Sequence, residues 1–554
     1  MSEGRLDEAR AHLEALVRDP GAGPEIHYNL AMVLSRLHEF EAAAASFEYC
    51  SRFAPDNLDI LNNLANALRL SGQLAKSAKV FDRALTNNPG HTALLCNRGW
   101  LHLALKDNRA AVSDFRAALD SNNDIEDAWR GLTKSLLAVG DMEQACSVSR
   151  QALDKFPGSC DLHNLRGVFH TRQKQLEKAL PCFKQSVSLF AGNAEVLTNL
   201  GITAEQLGDL SLAEKSLVQA LQVKPGYPPA WFHLANLASW QPAAEHIPAI
   251  EAALNAAKDH SSRVDLEFAL ANTLRKLKQY EHAFPHFVAA RKSMAAQQAF
   301  DLEAAIAELD KTGSLPPELE TAPPKRLFIV GMPRSGTTLV DQVLAAHSDV
   351  YSRGDSGIAA RLEKKVTKTT AASNETLAQW LRQQMPIPHN VQRVVDTSPG
   401  HFSQWGRLAS LLPEARFILC LRNPLDTCVS IFEQPLTGNH AYANTLAGLG
   451  RYYRACRLLM ERWQALLGER LLTVHYEQLV TSPEIEIARL LEHCELDLQQ
   501  SCLDFHQYQR AVMTPSAAQV KQPMNTHSIG RWRNYEQFLQ PLIEQLPKTM
   551  LHGA

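Results

Sequence analysis

A period of 34 residues governs the first half of the chain and leaves it little freedom in how to fold. At that shift Leu30-Ala31, Leu64-Ala65, Arg98-Gly99, Leu132-Thr133, Arg166-Gly167, Leu200-Gly201 and Leu234-Ala235 fall into register without a gap. Twelve positions after each of the first six small residues stand Ala43, Ser77, Ala111, Ala145, Ala179 and Ala213. Four further on come Phe47, Phe81, Phe115, Ser149, Phe183 and Leu217, and the units close on Pro55, Pro89, Asn123, Pro157, Ala191 and Pro225. Small residues let two antiparallel helices approach closely, the large residue fills the space between them, and proline stops the second helix before the next unit begins. The period therefore predicts stacked helix-turn-helix units, each burying its apolar face against its neighbours.

In period and residue type this pattern resembles the tetratricopeptide repeat. The seventh unit loses the pattern after Trp240, through Gln241-Pro242-Ala243-Ala244, and an insertion of two residues restores it in an eighth at Leu270-Ala271, Ala283, Phe287 and Ala290. Upstream, Ala9, Leu13 and Leu16 occupy second-helix positions of a half repeat. Residues 1–310 thus read as an array of about eight repeats with an N-terminal half repeat. The resemblance implies a superhelix whose concave face takes a peptide or protein partner. A role in scaffolding or dimerising the second half fits the same array equally well.

Residues 311–325, KTGSLPPELETAPPK, carry four prolines and few apolar side chains, as a linker does. Beyond it, in residues 326–554, the helical period stops. Short β-branched runs at Leu327–Val330, Val394-Val395, Arg416–Leu421 and Leu471–Val474 alternate with helix-like stretches. That alternation predicts an α/β domain with a parallel sheet, whose ligands bind beyond the carboxyl ends of the strands. At the first such end Pro333-Arg334-Ser335-Gly336-Thr337-Thr338 reads as a phosphate-binding loop. Counted from Gly331 the glycine spacing is that of a Walker A loop, but Thr337 stands where its lysine belongs. Backbone N–H groups at a helix N-terminus, with the hydroxyls of Ser335, Thr337 and Thr338, suit a 5′-phosphate without the NTPase arrangement of lysine and magnesium.

With 554 residues the chain is long enough for two or more domains. Its formal charge of −3 gives no global reason to expect nucleic acid or an anionic membrane as a partner. Ten cysteines without a C-x-x-C pair read as buried thiols in a reducing compartment. The first twenty residues hold no apolar signal core, and no run approaches the roughly 18 apolar residues of a spanning helix. A cytoplasmic protein is expected.

A second strand-to-helix junction runs from Arg422 to Ser430, RNPLDTCVS, and brings an arginine and a serine toward another phosphate. Two anion sites fit a doubly phosphorylated nucleotide. Here the sequence resembles the sulfotransferase family: PRSGTT is similar to its 5′-phosphosulfate loop and R-x7-S to its 3′-phosphate site. HYEQLV (475–480) and QVKQPMNTHSIGRWRNYE (519–536) extend the resemblance to bacterial sulfotransferases that carry tetratricopeptide repeats and, more distantly, to tyrosylprotein sulfotransferases. The resemblance implies 3′-phosphoadenosine-5′-phosphosulfate as co-substrate and no metal. Arg334, Ser335, Gly336, Thr337 and Thr338 would hold the 5′-phosphosulfate, Arg422 and Ser430 the 3′-phosphate, and Tyr476 would lie near the adenine. Ser516 matches the serine that steadies the transferring group, and Arg531 falls where a basic residue closes over the phosphates. Standing alone, Arg531 and Arg533 read equally well as a solvated basic turn.

Sulfuryl transfer also needs a base, and the stretch Ser352–Ser356 offers Asp355. Two departures from the family stand out. Its members usually carry glutamate where Asp355 stands, and Asp355 also suits a helix cap. They commonly place a lysine at the position of Thr397, beside the leaving phosphate. A cation about 4 Å from a unit charge is worth roughly 4 kcal/mol at an effective dielectric near 20, so Lys521 and Arg531 are the candidates to replace it. The favoured function is a sulfotransferase acting on a hydroxyl, with a peptide or protein bound by the repeats among the candidate acceptors. The alternative is an interaction scaffold with a catalytically degenerate nucleotide-binding domain. A P-loop kinase or NTPase comes third, because Thr337 replaces the lysine it requires.

Overall fold

A computed structural model of the chain describes residues 3–19, 21–296, 300–311, 324–368, 373–397, 404–436, 440–508 and 519–552. It divides into two compact units, Met1–Gly192 and Asn193–Ala554. The first is all helical. After the helix Glu3–Val17, helices pair at the predicted period, as in Leu58–Leu70 with Leu74–Asn87 and Thr92–Ala104 with Asn108–Ser121. The second helices end two residues before Pro55, Pro89 and Pro157, at Phe53, Asn87 and Lys155. Phe47, Phe81, Phe115 and Phe183 are all buried, and the small residues opposite them are required. A Cβ at Gly99, Gly131 or Gly167 would come within 2.8, 2.2 and 2.5 Å of the facing phenylalanine ring.

One feature of the hairpins is not written in residue type. The turn residues His38, Gly72, Lys106, Gly140 and Lys174, spaced by the repeat, all have positive φ, between 58° and 86°. Glycine adopts this conformation without cost, whereas the three larger residues are held in it by the packed helices on either side.

The second unit opens with further hairpins of the same kind and ends in the α/β domain. Ala194–Leu207 pairs with Leu210–Val223. The seventh repeat is broken, its first helix stopping at Asn236 and the next beginning at His246. The eighth is regular, His260–Lys276 followed by Tyr280–Ala295. The sheet has five parallel strands, β1 (Arg326–Gly331), β2 (Val350–Ser352), β3 (Arg393–Thr397), β4 (Ala415–Leu421) and β5 (Leu471–His475), in the order β2-β3-β1-β4-β5. Every residue of β1 is buried, as a central parallel strand covered on both faces must be. Four strands lie where the β-branched runs predict them, and β2 is an addition. The chain leaves β1 to build β2 and β3 on one side, then returns to build β4 and β5 on the other. The carboxyl ends of β1 and β4 therefore form the switch point at which such sheets open a crevice. Among the described residues no helix is long and apolar enough to cross a membrane.

Candidate nucleotide site

The loop after β1 is shaped by two positions that tolerate no side chain. A Cβ at Gly331 would lie 2.6 Å from both the carbonyl of Cys420 on β4 and Ser335 Oγ. At Gly336 φ is 106°, and a Cβ would sit 3.1 Å from the Tyr476 ring. Between them Arg334 is itself held at φ 69°, while Ser335 N–H bonds the Met332 carbonyl at 3.2 Å. The helix Thr337–Ala345 starts directly on this turn, so its first N–H groups look out of the sheet's carboxyl edge. Gly331→Ala is expected to displace the loop and to lower the melting temperature, at a cost of about 1–3 kcal/mol, because the clash is with backbone that cannot rotate away. Thermal unfolding monitored by tryptophan fluorescence checks it.

The second junction meets the first. Arg422 follows β4, and its Nη1 donates to the Arg334 carbonyl at 3.1 Å while Nη2 donates to the carbonyl of Ser528. Its guanidinium lies 4.8 Å over the Tyr476 ring. Asn423 caps the helix Pro424–Phe432 by accepting from the N–H groups of Leu425 and Asp426, and Ser430 on this helix accepts from Arg334 Nε at 2.9 Å. Arg334, Gly336, Thr337, Thr338, Arg422, Ser430, Tyr476 and Arg531 line a single cavity of about 250 Å³. Its remaining wall comes mostly from the strap 519–528, including Gln519, Met524, Asn525 and His527.

The cavity is strongly cationic. Burial, with Arg422 and Arg531 close by, pulls the Arg334 guanidinium down to about 10, so three neighbouring arginines repel one another while remaining charged at neutral pH. Burial likewise lowers Arg422, whose Nε is buried without a hydrogen-bond partner. Ser335 Oγ is also buried and unpartnered. Three arginines gathered at one cavity have the charge to suit an anion, while Ser335 does not line it.

Not every expected residue joins this group. Lys521 donates to the Gln206 carbonyl at 3.1 Å, at the end of the helix Ala194–Leu207, and does not line the cavity. Asp355 is exposed in the loop after β2 and accepts from Gly357 N–H at 3.2 Å, just ahead of the helix beginning at Ile358. Thr397 ends β3, its N–H bonding the Gly354 carbonyl at 3.0 Å, and its Oγ1 is buried without a partner. The two positions that depart from the family are thus neighbours. Ser516 lies outside the described residues.

Sequence reasoning missed the acids that fix the segment just after the strap. Asp426 accepts from Gly530 N–H at 2.6 Å and from Trp532 N–H at 2.9 Å. Glu433, 4% exposed, accepts from Arg531 Nη2 at 2.8 Å and from Tyr535 OH at 2.8 Å. Arg531 is therefore a paired side chain on the cavity wall, and Arg533 stacks 5.1 Å over Trp532. A signal was present: Asp426, Ser430 and Glu433 follow the i, i+4, i+7 spacing of one helix face.

Residues 324–500 match the sulfotransferase family, and residues 1–50, 28–92, 96–159 and 194–227 match tetratricopeptide repeats. An uncharacterized protein of Aquifex aeolicus is 27% identical over 410 residues, covering 68% of this chain and 53% of that one. Protein-tyrosine sulfotransferase A of Caenorhabditis elegans is 24% identical over 230 residues, 37% of this chain and 60% of that protein. Protein-tyrosine sulfotransferase of Drosophila melanogaster is 23% identical over 235 residues, 37% and 46% of the two chains. The match to each relative thus spans about half to three fifths of that protein's length.

Proposed function

We propose that this chain, whose residues 324–500 match the sulfotransferase family behind tetratricopeptide repeats, moves a sulfuryl group from 3′-phosphoadenosine-5′-phosphosulfate to a hydroxyl acceptor. The supporting observation is the convergence of Arg334, Arg422 and Arg531 on one cavity at the carboxyl ends of β1 and β4. Two β-to-α crossings supply anion donors at two places, which suits an adenosine phosphorylated at both ends of its ribose.

In the transfer an acceptor oxygen attacks sulfur and the bond from sulfur to the 5′-phosphate oxygen breaks. The bisphosphate leaves with the electron pair, and the acceptor proton passes to a base. Arg334 and the loop N–H groups stabilise charge on the leaving side. Asp355 is the proposed base, carried by the loop after β2 whose Gly354 carbonyl accepts from Thr397 N–H, and Ser516 the proposed support for the sulfuryl group. The activity named for the worm and fly relatives makes a tyrosine hydroxyl, on a peptide held by the repeats, the first acceptor to try. With all ten cysteines free, seven of them buried, the reading extends to a reducing compartment such as the cytoplasm.

Calorimetric titration with 3′-phosphoadenosine-5′-phosphate, against AMP and ATP, tests the donor class. A clear preference for the bisphosphate is expected, and equal affinities would overturn it. Transfer of radiolabelled sulfate to a tyrosine peptide, lost in Arg334→Ala, tests turnover. A second reading, a nucleotide-binding scaffold that no longer turns over, draws on the buried and unpartnered Thr397 hydroxyl where the family resemblance implies a lysine. Tight bisphosphate binding with no labelling across a broad acceptor panel would select it.

A further inference from the structure

The helix that serves the candidate phosphate site is held at its far end by the eighth repeat. Pro424–Phe432 carries Ser430 on the cavity, and its last carbonyls need partners as those of any helix do. Arg291, from the repeat helix Tyr280–Ala295 and 1% exposed, donates to the carbonyls of Phe432 at 3.0 Å and of Ile431 and Gln434. Next along the chain, Glu433 takes Arg531 and Tyr535 on its two oxygens, and Arg275 of the repeat helix His260–Lys276 approaches Oε1 at 3.8 Å. Burial alone would raise the Glu433 carboxyl, but Arg531 and then Arg275 outweigh it and hold it ionised below its ordinary range. Tyr535 in turn packs edge-on to Tyr280 and tilted to Phe284 of the same repeat.

We propose that the eighth repeat is part of the nucleotide site: Arg275 and Glu433 are positioning residues that fix Arg531 on the cavity wall. Arg531 has a long, flexible side chain and sits beside two like charges, so without a buried counter-charge it has every reason to swing into solvent. Glu433 supplies the larger part of that counter-charge and the buried Asp426 the rest. Arg275 keeps Glu433 ionised and oriented while itself tied through Nε and Nη2 to Asn272 Oδ1 at 3.1 and 2.9 Å. The repeat array therefore contributes to anion affinity without touching the ligand. The inference rests on the donor reading above for the identity of the nucleotide, but not for the behaviour of Arg531.

A double-mutant cycle in the full chain tests it, with binding of 3′-phosphoadenosine-5′-phosphate and of inorganic pyrophosphate measured by calorimetry. Glu433→Gln keeps the shape and one acceptor oxygen for Arg531 while removing the charge, the Tyr535 hydroxyl turning to accept from the new amide, and it is expected to weaken both ligands about tenfold. In an Arg531→Met background the same substitution should change neither, because the residue it acts through is gone. Arg275→Met is expected to weaken binding about threefold, and Arg275→Lys to restore most of it. Equal losses from Glu433→Gln in both backgrounds, or no loss in the parent, would overturn the proposal. A parent protein that binds pyrophosphate yet does not distinguish the bisphosphate from AMP overturns the donor reading alone, since pyrophosphate still reports Arg531.

Discussion

Arg422→Ala is expected to weaken binding of 3′-phosphoadenosine-5′-phosphate by about a hundredfold, because it removes a charge and two structural ties at once. The guanidinium holds the Arg334 carbonyl of the β1 loop with one nitrogen and the Ser528 carbonyl of the strap with another, while its face rests on Tyr476. Alanine leaves the loop and strap joined through the longer contact from Arg334 Nη2 to Gln519 Oε1 at 3.5 Å. Arg422→Lys returns the charge but not the fork, so it should recover about one decade and no more. AMP, with one phosphate fewer, should lose less than the bisphosphate. Calorimetry on the three proteins decides the matter: unchanged bisphosphate affinity in Arg422→Ala would place the nucleotide elsewhere.

Arg291→Met is expected to destabilise the unit Asn193–Ala554 by about 3–5 kcal/mol, the largest stability effect among these substitutions. The side chain is almost fully buried, and burial draws its guanidinium down to about 10, where it remains charged at neutral pH. Three main-chain carbonyls satisfy it, and the rings of Phe268 and Phe432 lie 5.7 and 5.5 Å from its Cζ. Methionine fills much of the volume, so the loss measures the carbonyls left without donors rather than a cavity. Lysine reaches fewer of them and should rescue only in part. Urea unfolding followed by tryptophan fluorescence measures it, and a shift below 1 kcal/mol would mean that the contact between repeat and helix contributes little. Phe284, stacked 5.7 Å from Phe432 and 4.7 Å from Phe538, belongs to the same contact and should soften with it.

Where the determinants are local, the sequence was legible. The repeat helices follow from small and large residues at a fixed period, and the observed helix ends fall just before Pro55, Pro89 and Pro157. β1, β3 and β4 are where their β-branched runs stand, because a strand buried on both faces needs a continuous apolar run, and the part-buried edge strand β5 also lies on its run. β2 escaped notice since three residues, Val350-Tyr351-Ser352, with Tyr351 exposed, carry no usable pattern. The left-handed turns at His38, Lys106 and Lys174 were equally silent, for lysine and histidine do not advertise a positive φ. Around the candidate site, Arg334 to Thr338 and Arg422 to Ser430 were legible as strand-to-helix junctions. The direction of Lys521, out to Gln206, was not.

Residue order by itself determined most of the elements and the two strand-to-helix turns, because helix period, strand burial and a glycine turn are each settled within a few dozen neighbouring positions. Tertiary structure alone decided that the two turns open on one cavity, that the loop carrying Asp355 meets Thr397 through Gly354, and that Arg275 and Arg291 of the eighth repeat support the helix behind Ser430. Those outcomes depend on pairs far apart in the chain, joined by hydrogen bonds and ion pairs that leave no periodic trace. A charged side chain reads the same in sequence whether it faces water, a carbonyl or a carboxylate, and only packing chooses its partner.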